Sequence, residues 1–564
     1  MPISVFPSKQ PSDTSPPEWE SKIFGMQYST QLVDDAAFTC KLSDFILEHG
    51  FIREHYGART VVIGIDISSF LDGFHAADNV KRGLHTSSST LTQLFKFFCG
   101  LSKANAHCLI VWDGDHRPLI KRGRQVVTHE SDYQKKAKLM VTYFGYHNHM
   151  APGEAEAELA ELLKRGVIDT VLSKDSDVFP LGVRSVLKVL KPNTAASGNS
   201  WEDLTIRVYD AEPVQKCLGY SQGGLVLVAL LLQNDISGGV NGIGRQTAHA
   251  LARSGFGKNL LAYYDQFSTT PGQLSWALSQ LNEDMAYEIE HNKRGQMGCR
   301  SPTQSKILRE SNFPTEEDLQ TLHAFLRPVT SSSLGLQPVP MSLRLPTLPD
   351  IGKILAFCND HFSWSSKLTL EHFHICLWPG VLIRMLSSKY LAYNPVNSEI
   401  IVPRLQSHFE IDNKGGRYVP TYSTTIITKN LLNFPTKNAG DSISVTFNTT
   451  FFVDLMRLNP AAKSMRSRRI EVPVAMIAVA LNRFDKVNDL SRLIGPRPPP
   501  VVNQDHNAEA SGSSQASFVN IPSKRKQTSV GGSRIKRTKA SVKSLGIIEL
   551  TDSETNSEKE DVLI

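Results

Sequence analysis

Three short apolar runs, each ending in a carboxylate, constrain this chain more than any other feature. Val61-Val62-Ile63-Gly64-Ile65 runs into Asp66, and Cys108-Leu109-Ile110-Val111-Trp112 runs into Asp113-Gly114. Val167-Ile168-Asp169-Thr170-Val171-Leu172 leads through Ser173-Lys174 to Asp175-Ser176-Asp177. Helical patterns such as Leu91 to Phe98 and Glu154 to Lys164 lie between these runs. Buried-type strands alternating with amphipathic helices require crossover connections, which predicts an α/β fold with a mainly parallel sheet. In an open parallel sheet, ligands sit beyond the carboxyl ends of the strands, so the acids are expected to converge there. Asp175 and Asp177, two apart in extended chain, are expected to share one face.

More carboxylates adjoin these three. Ala151-Pro152-Gly153-Glu154-Ala155-Glu156 places Glu154 and Glu156 at the start of a helix, just ahead of the third strand. Asp235 follows the apolar run Leu225 to Leu232. Taken singly, each acid reads as turn chemistry, a helix cap or a solvated helix face. Taken together they repel, and each raises its neighbours' pKa unless cations neutralise them. Hard oxygen ligands suit Mg²⁺, with Mn²⁺ as a substitute, and two such ions about 4 Å apart are the usual device for in-line phosphodiester displacement.

Pro152-Gly153-Glu154-Ala155-Glu156-Ala157, followed by Val171-Leu172-Ser173-Lys174-Asp175-Ser176-Asp177, closely resembles the internal motif of the flap-endonuclease/XPG nuclease superfamily. Ile65-Asp66-Ile67-Ser68 and Trp112-Asp113-Gly114 look like its N-terminal motif acids. Gly239-Val240-Asn241-Gly242-Ile243-Gly244, after Asp235, is similar to its helix–two-turn–helix element. The resemblance runs from about Thr60 to Arg327. It implies a PIN-like, resolvase-like nuclease domain with Asp66, Asp113, Glu154, Glu156, Asp175, Asp177 and Asp235 as catalytic, metal-binding acids. It also implies one K⁺ at the helix–two-turn–helix, gripping the duplex backbone.

Three departures accompany it. Dozens of residues precede the first strand, Ile236 replaces the usual Tyr after the seventh acid, and only about forty residues separate Asp113 from Glu154. The last point leaves little room for the long helical arch of the replicative flap enzymes. A helix expected from about Lys135 to Phe144 uses part of that stretch.

Candidate DNA contacts surround the acids. Gly242 and Gly244 let backbone amides approach a phosphate, and Arg245 opens the next helix. Lys121, Arg122 and Arg124, with Lys135 and Lys136, form a basic stretch suited to the scissile strand. As plain surface charge it needs no ligand; beside seven acids it favours DNA.

The expected organisation is a leader and N-terminal helix (1–58, with Leu42 to His49 helical), a nuclease core (59–330, helix–two-turn–helix about 225–257), a mixed α/β region (335–490) and a tail (491–564). Thr330-Ser331-Ser332-Ser333-Leu334-Gly335 reads as a linker. Pro349-Asp350-Ile351-Gly352-Lys353-Ile354-Leu355 and Cys376-Leu377-Trp378-Pro379-Gly380 look like the segment after the core in fungal relatives of the eukaryotic Holliday-junction resolvase. In that subfamily a chromodomain-like β module follows, and Ser442 to Val453 is a candidate part of one. Lone His374 near Cys376 reads as core rather than ligand. The tail is Ser-, Asn- and charge-rich with one aromatic, Phe518, and is expected to be disordered. Lys524-Arg525-Lys526 and Arg534 to Lys539 are spaced like a bipartite nuclear import signal. Ile547-Ile548-Glu549-Leu550, followed by Thr551-Asp552-Ser553-Glu554, resembles a SUMO-interacting motif, which makes SUMO or sumoylated proteins candidate partners through 547–554.

Composition serves mainly to exclude. Across 564 residues no apolar run is long enough to span a bilayer, and the polar, Pro-rich opening has no secretory h-region, so no membrane partner is expected. Seven scattered cysteines without C-x-x-C spacing argue against a disulfide framework and a zinc site. The resemblance, with the import-like basic clusters, implies a nuclear, structure-selective DNA endonuclease of repair or recombination, acting on four-way junctions and 5′ flaps. A 5′-flap or excision-repair nuclease is the alternative within that class, and a non-cleaving DNA-binding scaffold the alternative outside it. A pair of copies is a candidate assembly on junction DNA.

Overall fold

Residues 36–52, 60–82, 87–117, 120–121, 124–125, 130–190, 204–234, 236–387, 392–394, 399–401, 425–427, 437–438, 440–450, 453 and 467–480 are described in a computed structural model. The leader before Ala36 and the tail with its import and SUMO motifs lie outside them.

Seven strands form the central sheet: β1 (Phe38–Lys41), β2 (Val62–Asp66), β3 (His107–Trp112), then, after the short hairpin strands β4 (Ile120–Lys121) and β5 (Arg124–Gln125), β6 (His147–Met150), β7 (Thr170–Leu172), β8 (Ser185–Val189) and β9 (Thr205–Asp210). Their order is β1-β9-β8-β7-β2-β3-β6. The β8-β7-β2-β3-β6 block is parallel, whereas β9 and β1 add in antiparallel fashion at one edge. Every residue of β2 and β3 is buried, as a strand covered on both faces must be. Side-chain alternation divides them between two cores. Ile63, Ile65, Cys108 and Ile110 face one, together with helices Ser68–Arg82, Ser87–Lys103 and Trp378–Leu386. Val62, Leu109 and Val111 face the other, together with helices Ala155–Lys164, Gln222–Leu231 and Pro271–His291.

The third strand is shorter than its apolar run suggests. Only Thr170–Leu172 pairs. The Asp169 carboxylate accepts the Val62 amide at 2.8 Å, which ends the ladder at that point. Buried Arg344 then donates to Asp169 (2.8 Å to each oxygen) and to the carbonyls of Gly166 (2.7 Å) and Val167 (3.1 Å). His107, at the start of β3, meets the Leu343 carbonyl at 2.7 Å. Residues around Leu343 and Arg344 therefore strap the amino-terminal ends of β7, β2 and β3. The Ser-rich stretch read as a linker is anchored as well: Thr330 and Ser331 are buried, and the Ser331 amide donates to Glu158 at 2.8 Å.

A second, antiparallel sheet comprises β10 (Ala392–Asn394), β11 (Glu399–Ile401), β12 (Thr425–Ile427), β13 (Ser442–Asn448) and β14 (Ser467–Pro473), in that order. Ile443, Val445 and Phe447 alternate into the first core, the period-2 pattern expected of that segment. His374 meets the Ser467 carbonyl at 3.3 Å and packs edge-on to Trp378, a structural setting. Among the described residues no single helix is long and apolar enough to cross a membrane.

Candidate active site

Strand order fixes where a site can form. The chain builds β2, β3 and β6 outward to one side, then returns to lay β7 and β8 on the other side of β2. Connections diverge at such a reversal and leave a crevice at the carboxyl ends of β2 and β7. Asp66 is the last residue of β2, and the Ser173–Asp177 loop leaves β7. Asp113 follows β3, and Glu154 caps the helix that follows β6.

Asp66 is almost fully buried, and its Oδ1 accepts the Ser68 amide at 3.0 Å. Burial, reinforced by the charges of Asp113 and Asp175, pushes its pKa up to about 7. Three side chains from three strand ends thus share one electrostatic environment. Asp113 is held at both oxygens. Its Oδ1 accepts the Ala155 amide (3.0 Å), the first of helix Ala155–Lys164, while Oδ2 accepts the Ser68 hydroxyl (3.0 Å) and Arg117 (3.2 Å). Ser68 therefore ties Asp66 to Asp113.

Gly114 sets how closely the two loops approach. Its amide donates to the Gly153 carbonyl at 2.8 Å, and the His116 amide to Pro152 at 2.9 Å. A Cβ at Gly114 would lie 1.9 Å from the Ala151 carbonyl oxygen. This crossing brings Glu154, with its extended N-cap backbone, and Glu156, in the first helical turn, to the β3 side of the crevice. Acids are favoured at that helix end. Glu158 on the same helix has a different role. Burial pushes its carboxyl up, but hydrogen bonds from His149 (2.8 Å) and Ser331 outweigh this and hold it below the ordinary value.

Beyond β7 the chain turns rather than running extended. Asp175 Oδ1 accepts the amides of Ser176 (2.5 Å) and Asp177 (3.1 Å), so Asp175 and Asp177 flank an Asx turn instead of sharing an extended face. Lys174 sits over the rings of Phe70 (4.7 Å) and Phe74 (5.7 Å) and donates to the Ser69 carbonyl, joining this loop to helix Ser68–Arg82.

The remaining expected residues have varied settings. Asp235 and Arg122 lie outside the described residues, as do the side chains of Lys121 and Arg124, whose backbones form β4 and β5. Lys135 is exposed on helix Asp132–Tyr143, but Lys136 pairs with Asp132 at 2.7 Å and Lys138 with Glu130 at 2.6 Å. Helices Gln222–Leu231 and Arg245–Arg253 flank the Gly-rich turn. Gly239 (φ +67°) and Gly242 (φ +91°) need the left-handed region, whereas Gly244 has ordinary φ and faces open space beside exposed Arg245. Ser68, Gly114, Arg117 and Lys174 are the contributors that sequence reasoning did not single out. Ser68, Gly114 and Lys174 lie within or beside the quoted motifs, whereas Arg117 carried no local signal.

Among the described residues, no three His, Cys, Asp or Glu side chains close into a ready metal cage. The donor chemistry still fits a hard divalent cation. Asp66, Asp113 and Asp175 offer oxygens only, and a cation would relieve both the desolvation and the repulsion that raise Asp66. A cavity of about 430 Å³ lies elsewhere, among Lys41, Asn105, Pro379 and Arg469, and none of these acids lines it.

The family description "XPG I-region" matches residues 145–235, a span holding Glu154, Glu156, Asp175, Asp177 and Asp235. Among curated proteins, the DNA repair protein RAD2 of Saccharomyces cerevisiae is 27% identical over 44% of this chain and 21% of its own length. The flap endonuclease GEN-like 1 of Arabidopsis thaliana is 32% identical over 24% of this chain and 22% of its own. The chain thus spans about a fifth of the length of these two relatives. Among solved structures, the Holliday junction-resolving enzyme GEN1 in complex with product DNA and Mg²⁺ matches with a TM-score of 0.55 at 20% identity, over 81% of this chain and 97% of that one. A junction-resolving enzyme GEN-1 binding caesium matches at 0.56, again at 20% identity, over 82% and 99%. At that identity the likeness speaks to fold. The chain thus carries a match to the XPG I-region over residues 145–235, on a fold similar to that of the junction-resolving enzymes.

Proposed function

We propose that the chain is a Mg²⁺-dependent, structure-selective DNA endonuclease that hydrolyses phosphodiesters near branch points in repair or recombination. The observation that carries this reading is the convergence of Asp66, Asp113 and Asp175 at the sheet's reversal point, with Asp66 pushed to about 7 by burial and by the charges of the other two. A partly buried carboxylate cluster is costly, and a scaffold that never binds a cation has no use for it. The relatives point the same way, since they include flap endonucleases and a junction-resolving enzyme seen with product DNA and Mg²⁺.

In this reading Asp66, Asp113, Glu154, Glu156, Asp175, Asp177 and Asp235 hold two Mg²⁺ or Mn²⁺ ions. When bound, such ions activate a water and offset charge on the leaving oxygen. Ser68 fixes Asp66 and Asp113 relative to each other, and the Ala155 amide orients Asp113. Lys121, Arg122, Arg124 and Lys135 draw in the scissile strand; Lys136 must first leave Asp132 to join them. The exposed Gly242–Arg245 turn grips a duplex arm, with one K⁺ there. Residues 547–554 recruit SUMO-bearing partners, and 524–539 direct nuclear import.

The cation reading has a thermodynamic test. Without metal, the folded chain keeps a proton on Asp66 up to about pH 7, whereas the unfolded carboxyl sheds it near 3.8. The folded state binds more protons between those limits, so this residue's contribution to stability falls as pH rises from about 4 to 7 and levels off above. The loss amounts to about 4 kcal/mol. Urea unfolding in EDTA should show that slope in wild type and lose it in Asp66→Asn. Millimolar Mg²⁺ should flatten it in wild type by favouring the ionised form. An identical slope in both proteins, unmoved by Mg²⁺, would count against a cation site at Asp66.

Location is tested separately. Deleting 522–564 should leave cleavage of branched DNA unchanged while moving a fluorescently tagged protein toward the cytoplasm. Undiminished nuclear signal would remove the import reading.

A further inference from the structure

We propose that Arg117 is an internal competitor for the divalent cation, a residue whose departure from Asp113 sets the metal concentration at which the site loads. The inference rests on the nuclease reading above. A carboxylate offers about four lone-pair positions. The Ala155 amide takes one on Asp113 Oδ1, and the Ser68 hydroxyl with the Arg117 guanidinium takes both on Oδ2. Only the position beside the Ala155 amide is left for a metal.

The three donors differ in kind. The Ala155 amide belongs to a helix terminus, and Ser68 is fixed by its own bond to Asp66. Both are neutral, and both are compatible with a cation nearby. Arg117 carries a full charge, lies on the loop after β3, and reaches Asp113 at 3.2 Å with its side chain 17% exposed. A guanidinium on Oδ2 and a divalent ion on Oδ1 of the same carboxylate repel each other strongly. Loading is therefore opposed by Arg117 and favoured when it steps off Oδ2. Until then its charge offsets part of the repulsion among Asp66, Asp113 and Asp175.

The test is Mn²⁺ binding to the full chain in the absence of DNA, by calorimetry and by the electron paramagnetic resonance of free Mn²⁺. Arg117→Gln should bind Mn²⁺ about fivefold tighter or more. Its melting temperature should be lower than wild type in EDTA and should rise further on adding Mn²⁺. Arg117→Met, which keeps the apolar stem, serves if the Gln variant does not fold and should shift affinity in the same direction. Affinity equal to or weaker than wild type overturns the proposal. So does weaker branched-DNA binding with unchanged Mn²⁺ affinity, which would make Arg117 a phosphate contact. Asp175→Asn, measured in parallel, should bind Mn²⁺ much more weakly. If it binds like wild type, the nuclease reading itself fails, whatever Arg117→Gln does.

Discussion

Asp175→Asn is expected to abolish cleavage, by about a thousandfold or more in single turnover, while leaving branched-DNA binding and thermal stability near wild type. The substitution isolates charge from structure. Asp175 Oδ1 accepts the amides of Ser176 and Asp177, and an asparagine oxygen can accept both, so the turn survives. The negative charge that acts on Asp66 and would hold a cation is lost. Metal stabilisation of transition-state charge is worth several kcal/mol, and each 1.36 kcal/mol is tenfold in rate. Glu156→Gln should act in the same direction. Single-turnover cleavage in Mg²⁺, with gel-shift binding in Ca²⁺, separates the two effects. A variant within a few-fold of wild type would remove Asp175 from the chemistry.

Gly114→Ala should be nearly as damaging for a different reason. The added Cβ would sit 1.9 Å from the Ala151 carbonyl oxygen and 2.4 Å from that of Pro152. Both neighbours are backbone, so no rotamer change relieves the clash, and the two loops must part. That breaks the Gly114–Gly153 and His116–Pro152 hydrogen bonds and pulls Asp113 off the Ala155 amide. Overpacking plus two lost bonds should cost about 3–5 kcal/mol, read from urea unfolding. Displacement of Asp113 by about 1 Å should cost a further hundredfold or so in rate. Gly272→Ala, where nothing lies within 4 Å, is the control and should change stability by less than about 0.5 kcal/mol. If Gly114→Ala behaves like that control, the loop crossing does not position the site.

What was legible in the sequence follows from where each interaction sits along the chain. Strands buried on both faces read as continuous apolar runs, so β2 and β3, and the acids just past them, stand out within windows of six residues or so. Carboxylates at strand ends then imply a common crevice. Contacts formed between distant segments leave no such trace. The Ser331 amide caps Glu158 from 173 residues away, so a Ser-rich stretch looked like a linker. Arg344 ends the β7 run from 175 residues away, through Asp169. Arg117 gave no signal in the sequence, because its pairing with Asp113 depends on a turn that spacing alone does not specify. The Asx turn at Asp175 was missed because the same dipeptide spacing suits an extended strand.

The central claim is that this site takes a continuous strand at a branch. About forty residues lie between Asp113 and Glu154. Among the described residues of that stretch are two short hairpin strands, the twelve-residue helix Asp132–Tyr143 and β6, with no second long helix to close an arch. At about 1.5 Å per helical residue, one such helix spans too little to enclose a threaded end. A time course in Mg²⁺ on a four-way junction, a 5′ flap with a bulky blocked end and an unbranched duplex tests this most directly. The account predicts incisions near the branch point of the first two and an inert duplex. Cutting confined to free-ended 5′ flaps, with blocked flaps and four-way junctions untouched, would contradict it.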